Sequence, residues 1–354
     1  MSAARVAIFG PGGIGNYHID HLLRRNVEIV AVCDVNEGHL EEARRRFPNA
    51  LVTKDWESVF GTRPDVVAVC TPNKWHREIT IRALQSGAHV DCEKPMAMNL
   101  AEAREMEAAR QAAGKMGYIN FSYRNNVAFR FARELVRNGE LGKVRRVNVV
   151  YLQSFLGASS NLCSWRNDVE IAGFGALGDL GVHMIDGVRF ITGLEFERVV
   201  GTKQTLMPTK KDAFGADREV TTDTNAAWLA QLSGGPIATM ETTQVAPGYG
   251  NYFRIEVSGD LGTIAVLSDK DREIQMSVGG SLSHFETWAT DLPVHVVPTG
   301  FAARQKTDGP ALLIDAINGE IVDYPKFEDG VAAQAVLEGI EESIRTGAWA
   351  VLPG

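Results

Sequence analysis

The chain has 354 residues and a formal net charge of -8. That length supports two domains with cores of their own, and the acidic balance excludes the basic field of a nucleic-acid binder while leaving room for a small anionic ligand held locally. No apolar run reaches transmembrane length, and the first five residues lead directly into an apolar strand with no room for a signal peptide, so a cytoplasmic protein is expected.

Val6 to Phe9 is a short apolar run, followed at once by Gly10-Pro11-Gly12-Gly13-Ile14-Gly15 and a helical stretch to about Arg25. Strand, glycine turn and helix are the context in which G-x-G-x-x-G reads as a dinucleotide fingerprint. Gly10 permits the tight turn, Gly12 lets backbone approach a pyrophosphate, and Gly15 lets the helix sit close to its strand. The helix start then offers free N–H groups to the phosphates. The fingerprint calls for an acid at the end of the next strand, about twenty residues on. Asp34 stands there, after Ile29 to Cys33. Its carboxylate can accept both ribose hydroxyls and would repel a 2′-phosphate, which favours NAD over NADP. His18 and His21 lie one turn apart on the first helix and read as a half-exposed pair. No other ligand is near in sequence, so no metal site is expected.

Short apolar runs and helical stretches continue to alternate, the signature of a parallel sheet with helices on its faces. A second helix spans about Glu37 to Phe47 and stops at Pro48. Val66 to Cys70 is fully apolar, as in a buried parallel strand. Thr71-Pro72-Asn73 ends it on the edge where ligands bind in open α/β sheets. His76 begins the next helix, where it can touch a cofactor or cap the helix. Ala88 to Cys92 is another strand, closed by Glu93-Lys94-Pro95. Asn99 and Glu102 have capping-box spacing at the head of a helix that ends near Gly114. Lys115 to Asn120 closes a set of six strands. Cys33, Cys70, Cys92 and Cys163 lack metal-like spacing, and three of them end apolar strands, so buried free thiols are expected.

After Tyr123-Arg124 the character changes. Val127 to Asn138 is an amphipathic helix. Val144 to Leu152 and Glu197 to Thr205 are long strands. Thr222 to Leu232 faces Pro236 to Val245, and Arg254 to Val257 faces Thr263 to Leu267, across glycine-bearing turns. Two helices, Ala311 to Asn318 and Phe327 to Thr346, complete the chain. The expected fold is α/β: an N-terminal Rossmann dinucleotide-binding domain over residues 1-122 and a C-terminal α+β domain over 123-354, built on a mainly antiparallel sheet, with the last helix able to return to the first domain.

Two further stretches carry chemistry. Lys94, at the carboxyl end of a strand, can hydrogen-bond a substrate hydroxyl or lower its pKa. Asp179, His183 and Asp186 recur at helical spacing, so one face carries two carboxylates and an imidazole, and Asp179 can meet His183 directly. An imidazole oriented by a carboxylate suits proton transfer to and from an alcohol oxygen.

The glycine fingerprint, Glu-Lys-Pro closing the fifth strand, and D-x-x-x-H on a long helix of the second half together resemble the Gfo/Idh/MocA family of oxidoreductases. The resemblance extends to Tyr118–Arg124, to Val257–Thr263 and to Phe327–Gly330, and so covers nearly the whole chain. It implies a catalytic trio: His183 as general base in alcohol oxidation, Lys94 holding the reacting hydroxyl, and Asp179 orienting both. It implies NAD contacts from Gly10, Gly12, Gly13, Ile14, Gly15, Asp34, Thr71, Pro72, Asn73, His76, Glu93 and Lys94. Tyr123, Arg124, Asn161, Trp165 and Arg166 lie in stretches that the family places over the nicotinamide. Trp165 offers a flat face for a sugar ring, and Arg166 either forks onto an anion or pairs with Asp168 or Glu170. Lys94, Asp179 and His183 would share the substrate with Tyr123, Arg124, Trp165 and Arg166. The expected substrate is a sugar, inositol or related cyclic polyol, and the expected assembly a homodimer or homotetramer. Two alternatives belong to other classes. One is a redox-assisted glycoside hydrolase that oxidises, eliminates, hydrates and reduces. The other is a non-catalytic dinucleotide sensor, which should lack the trio.

Overall fold

The computed structural model describes residues 3–154, 162–279 and 291–353. The chain divides into two compact units, Met1–Asn120 with Asp308–Gln334, and Phe121–Thr307 with Ala335–Gly354. In the first unit the chain runs β1 (Ala4–Phe9), α1 (Gly13–Leu22), β2 (Val27–Cys33), α2 (Glu37–Arg46), β3 (Leu51–Thr53), β4 (Val66–Val69), α3 (His76–Gln85), β5 (His89–Cys92), α4 (Leu100–Ala113) and β6 (Gly117–Ile119). The strands are parallel, in the order β3-β2-β1-β4-β5-β6. This is the doubly wound order, which reverses direction between β1 and β4 and opens a crevice at their carboxyl ends. Val66, Val67, Ala68 and Val69 are all fully buried, as a strand covered on both faces requires. Six strands are present as counted, five of them at the runs named from the sequence; the sixth, β3, is too short to stand out by composition.

Helix ends follow the capping signals, with one shift. Asn99 Oδ1 accepts the Glu102 N–H at 2.9 Å, while the Glu102 carboxylate reaches the Met98 N–H rather than that of Asn99. Gly114 closes α4 in the left-handed conformation, φ 61°. Segment 308–334 supplies a helix, Ala311–Ile317, beside α1, and Arg25 on the α1 side pairs with both Asp308 and Asp315 at 2.6 Å. Phe327 lies against Gly117, where a Cβ would stand 2.5 Å from its ring.

His89 gives this unit a predictable acid sensitivity. Its Nδ1 accepts the Met116 N–H at 3.0 Å, which a protonated ring could not do. Burial, reinforced by Lys115, lowers its pKa to about 4. The unfolded ring, near its ordinary value, takes up a proton first as pH falls. The stabilisation is therefore complete above about pH 6.5 and disappears progressively down to about pH 4; with solvent screening of the partly exposed ring it is about 1 to 2 kcal/mol. Urea unfolding at pH 7 and pH 5 should show the loss. His89→Asn, which keeps an acceptor but does not titrate, should flatten that part of the profile.

The second unit begins with α5 (Val127–Arg137) and β7 (Val144–Gln153), then α6 (Val169–Ala172), α7 (Val182–Thr192) and β8 (Phe196–Gln204). There follow β9 (Thr209–Lys211), β10 (Asp217–Glu219), β11 (Asn225–Leu232), β12 (Ile237–Thr243), β13 (Asn251–Gly259), β14 (Gly262–Leu267), β15 (Glu273–Val278), β16 (Val294–Val296) and, at the end, β17 (Ala350–Val351). Nine of these strands form one sheet in the order β16-β15-β14-β13-β7-β12-β11-β8-β17. All its neighbours are antiparallel except β7 with β12. Both expected hairpins are present, β11 with β12 and β13 with β14. Alternation along the strands gives the sheet two unlike faces. Val147, Val149, Tyr151, Ala226, Trp228, Ala238, Met240, Phe253 and Ile255 are buried on the inner face, which α5 and α7 cover. The other face leaves Leu229 43% and Ile237 54% exposed.

Candidate active site

In the first unit, the candidate cofactor turn is built on β1, α1 and β2. Gly10 takes φ 78°, and a Cβ there would stand 2.7 Å from the Cys70 carbonyl oxygen. A Cβ on Gly15 would stand 2.1 Å from the Gly10 carbonyl oxygen. No side chain therefore fits between turn and strand. Gly12 caps α1 with no side-chain hydrogen bond to the helix start, and a Cβ on Gly13 would meet nothing within 4 Å. Open space over uncapped N–H groups fits a pyrophosphate. Asp34 stands at the end of β2, with Oδ1 accepting the Asn36 N–H at 2.8 Å and Oδ2 2.9 Å from His39 Nδ1. His39, which the sequence reading passed over, thus orients the Asp34 carboxylate. Among the described residues, no Arg or Lys pairs with Asp34.

The Thr71-Pro72-Asn73 loop leaves β4 on the same sheet edge. Thr71 Oγ1 is buried without a hydrogen-bond partner among the described residues, the signature of a polar atom left for a ligand. His76 is placed differently from either alternative read in the sequence. It is fully buried, with Nε2 2.9 Å from the Thr71 carbonyl oxygen and Nδ1 3.0 Å from that of Pro95. It clamps the loops after β4 and β5 together from behind and offers no ring edge to a cofactor. A neutral ring donates to one of these carbonyls at a time, and burial depresses its pKa.

Glu93 is likewise committed within the first unit. Its Oε1 lies 2.7 Å from His18 Nε2 and accepts from Asn120 Nδ2, and its Oε2 accepts the Lys94 N–H at 3.1 Å. The expectation of a half-exposed His18 is overturned: the residue is fully buried beneath β5, and only His21 is half-buried. The reason is the pleat of β5, which turns Asp91 and Glu93 toward the same face of α1. The two carboxylates approach opposite edges of the ring and do not converge on a metal position. Lys94 follows directly, partly exposed, at the carboxyl end of the strand.

In the second unit, a π turn at Leu177–Gly181 runs into α7. Asp179 sits in that turn, so the α-helical register behind a single Asp179–His183–Asp186 face does not extend to it. Asp179 Oδ2 accepts from Gln244 Nε2 at 3.4 Å. The turn is anchored by Asp223, whose Oδ1 accepts the Gly175 N–H at 2.9 Å and whose Oδ2 accepts the Leu177 N–H at 2.7 Å. A Cβ on Gly175 would stand 1.8 Å from the Asp223 carbonyl oxygen, which explains the glycine there. His183 is 6% exposed. Its ring meets the Tyr123 ring edge-on, centroids 5.0 Å apart, with Phe121 and Tyr151 at 6.3 and 6.5 Å.

Tyr123 heads a network that the sequence reading missed beyond its first member. The Tyr123 and Tyr151 hydroxyls are 2.5 Å apart, and Asn251 Nδ2 donates to Tyr123 Oη at 2.9 Å. Gln153 Nε2 donates to Asn251 Oδ1 at 2.6 Å. Tyr151 and Gln153 alternate on the inner face of β7, and Asn251 is the register partner of Gln153 on β13. Burial, with Tyr123 and Asp179 adding to it, raises the Tyr151 phenol well above its ordinary value, so that hydroxyl stays protonated.

Arg124 is buried and doubly engaged with Asp186, with Nη2 2.5 Å from Oδ1 and Nε 3.0 Å from Oδ2. Its guanidinium is occupied inside the fold, and Asp186 with it. Arg166 lies over the Trp165 ring, 4.4 Å from its centroid. The expected pairing with Asp168 or Glu170 is not formed, because Asp168 accepts the Glu170 N–H and caps α6 instead. Asn161 lies outside the described residues.

A glycine turn at the head of α1, an acid at the end of β2 and a 3-2-1-4-5-6 sheet are the features of a dinucleotide-dependent α/β enzyme. Residues 4–121 match the family described as "Oxidoreductase family, NAD-binding Rossmann fold", and residues 129–265 match the "GFO/IDH/MocA C-terminal domain". The chain belongs to the Gfo/Idh/MocA family and is an NAD-binding oxidoreductase. It is 28% identical to the levoglucosan dehydrogenase of Pseudarthrobacter phenanthrenivorans, over 91% of this chain and 89% of that protein. It is 29% identical to the myo-inositol 2-dehydrogenase of Thermotoga maritima, over 76% of each. Among solved structures, a levoglucosan dehydrogenase in complex with NADH and L-sorbose superposes with a TM-score of 0.88 at 26% identity, covering 100% of both chains.

Proposed function

We propose that the protein oxidises a ring hydroxyl of a sugar, inositol or related cyclic polyol, with His183 as the proton acceptor. The observation that carries this reading is the setting of His183: a buried imidazole on a glycine-anchored helix start, walled by Phe121, Tyr123 and Tyr151 and close in sequence to Asp179. The hydroxyl and amide groups of Tyr123, Tyr151, Gln153 and Asn251 suit a ligand rich in hydroxyls. The relatives named for levoglucosan and myo-inositol support the same substrate class.

In this mechanism Lys94 donates a hydrogen bond to the reacting hydroxyl and favours its ionised form. His183 accepts the hydroxyl proton at a ring nitrogen and returns it in the reverse direction. Asp179, steadied by Gln244, orients substrate hydroxyls. Gly10 to Gly15 and Asp34 hold the cofactor; bound NAD supplies the hydride acceptor. Trp165 and Arg166 contribute a stacked flat surface to the sugar, whereas Arg124 acts through Asp186 to hold α7. Four free cysteines, three of them buried, support a reducing, cytoplasmic setting. The exposed Leu229 and Ile237 on the outer sheet face support a homodimer or homotetramer, which light scattering would measure.

The test is a panel of inositols, free sugars, sugar acids and simple glycosides with NAD or NADP, read by reduced-nicotinamide absorbance and by product chromatography. NADH formation with one polyol is expected, with NADP at least about tenfold poorer, since a 2′-phosphate must face Asp34. Sugar release from a glycoside without net NADH would replace this reading with redox-assisted hydrolysis. Alanine at both Trp165 and Arg166 should raise KM for the polyol by roughly tenfold with NAD binding unchanged; an unchanged KM would remove them from the substrate site.

A further inference from the structure

Beneath the Lys94 loop lies a charged cluster almost closed to solvent. The side chains of His18, Asp91 and Glu93 are 0%, 0% and 7% exposed. His18 Nδ1 is 2.6 Å from Asp91 Oδ2, and Nε2 is 2.7 Å from Glu93 Oε1. Ionised carboxylates only accept, so a ring that bridges two of them carries hydrogen on both nitrogens. Burial opposes that charge, but Asp91 and Cys70 outweigh it and raise His18 well above its ordinary value. Burial would also raise Glu93; His18, Lys94 and Asn120 reverse this and hold it at about 2. Asp91 is raised by burial, and its Oδ1 has no hydrogen-bond partner among the described residues. Tyr17, His21, Cys70, His76, Cys92 and Lys94 are the other titratable groups that act on the cluster.

Stability alone does not call for such an arrangement, because packed apolar side chains of the same volume often serve as well or better. The cluster does something an apolar core cannot. Glu93 Oε1 is fixed by His18 and by Asn120 Nδ2, and this leaves Oε2 to accept the peptide N–H of Lys94 at 3.1 Å. One carboxylate therefore holds the backbone from which the Lys94 side chain departs. His18 sits on α1, the helix whose start faces the cofactor phosphates. The lysine loop and the phosphate helix are thus joined through a single buried ring.

We propose that His18 is a positioning residue: through Glu93 it fixes Lys94 relative to the cofactor-binding helix. The proposal rests on the role given to Lys94 above. A displacement of about 1 Å at a reacting group costs up to about a hundredfold in rate, so the predicted signature lies in kcat.

The variants are His18→Leu, His18→Gln and Lys94→Met, assayed with NAD and levoglucosan or myo-inositol, whichever the panel shows to be turned over. His18→Leu should lower kcat by roughly ten- to a hundredfold, shift the pH profile of kcat, and leave KM for the polyol and the affinity for NAD within about twofold. His18→Gln keeps one donor and should recover part of the rate. Wild-type kcat and pH profile in His18→Leu, with Lys94→Met inactive, would overturn the proposal and leave the lysine's role standing. Full activity in Lys94→Met would instead overturn the role of the lysine, and the proposal with it. If His18→Leu fails to fold, 15N NMR of the wild-type imidazoles decides. His18 should show two protonated nitrogens at pH 7, and a neutral tautomer there would overturn the proposal.

Discussion

Replacing His183 by asparagine is expected to lower kcat by about a hundred- to ten-thousandfold, the range for losing a general base, with NAD binding unchanged. Asparagine keeps a polar atom near the ring position but cannot take a proton. Burial keeps the Tyr151 phenol protonated, and Asp223 anchors the turn ahead of the helix. The loss should therefore fall on turnover and not on folding. Single-turnover hydride transfer and NAD titration by fluorescence separate the two. If the variant keeps most of its rate, proton transfer is carried by another group. Asp223→Asn offers the converse comparison. It weakens a carboxylate that accepts two backbone N–H groups, so it should lower stability and loosen the turn that holds Asp179.

Asp186→Asn is expected to be the most damaging substitution for stability, by about 3 to 5 kcal/mol, because it leaves the Arg124 guanidinium buried without its counter-charge. The side chains are 8% and 3% exposed, so solvent cannot replace the lost partner. The pair joins the Ser122–Asn125 turn, which carries Tyr123, to α7, which carries His183. The double variant Arg124→Met with Asp186→Leu should recover much of the loss, since it removes both charges together. Urea unfolding of the two single variants and the double variant measures the coupling. A substrate role for Arg124 would give the opposite pattern: a raised KM in Arg124→Met with little change in stability.

Much of the framework was legible because it depends on neighbours in the chain. Gly10 to Gly15, Asp34 and Glu93 to Pro95 lie at strand ends that hydrophobic runs announce, and the hairpins at Ser233–Gly235 and Ser258–Gly262 carry their own turn chemistry. The site residues that went unread are those whose partners lie far away. His39 turns onto Asp34 only once α2 packs at the end of β2, and Tyr151, Gln153 and Asn251 become neighbours only through the β7–β13 register.

The same division separates what sequence and tertiary structure each decided. Local periodicity, capping residues and glycine turns determined by themselves a dinucleotide-binding half followed by a mainly antiparallel half, together with the positions of Lys94, Asp179 and His183 along the chain. Only the packed structure decided which polar groups are used internally. His18 was given to Asp91 and Glu93 across more than seventy residues, Arg124 to Asp186 across sixty-two, and His76 to two carbonyls behind the loop. The physical reason is that a helix or strand signal is written in the spacing of adjacent side chains, whereas the partner of a buried charge is chosen by whichever face of another element is pressed against it.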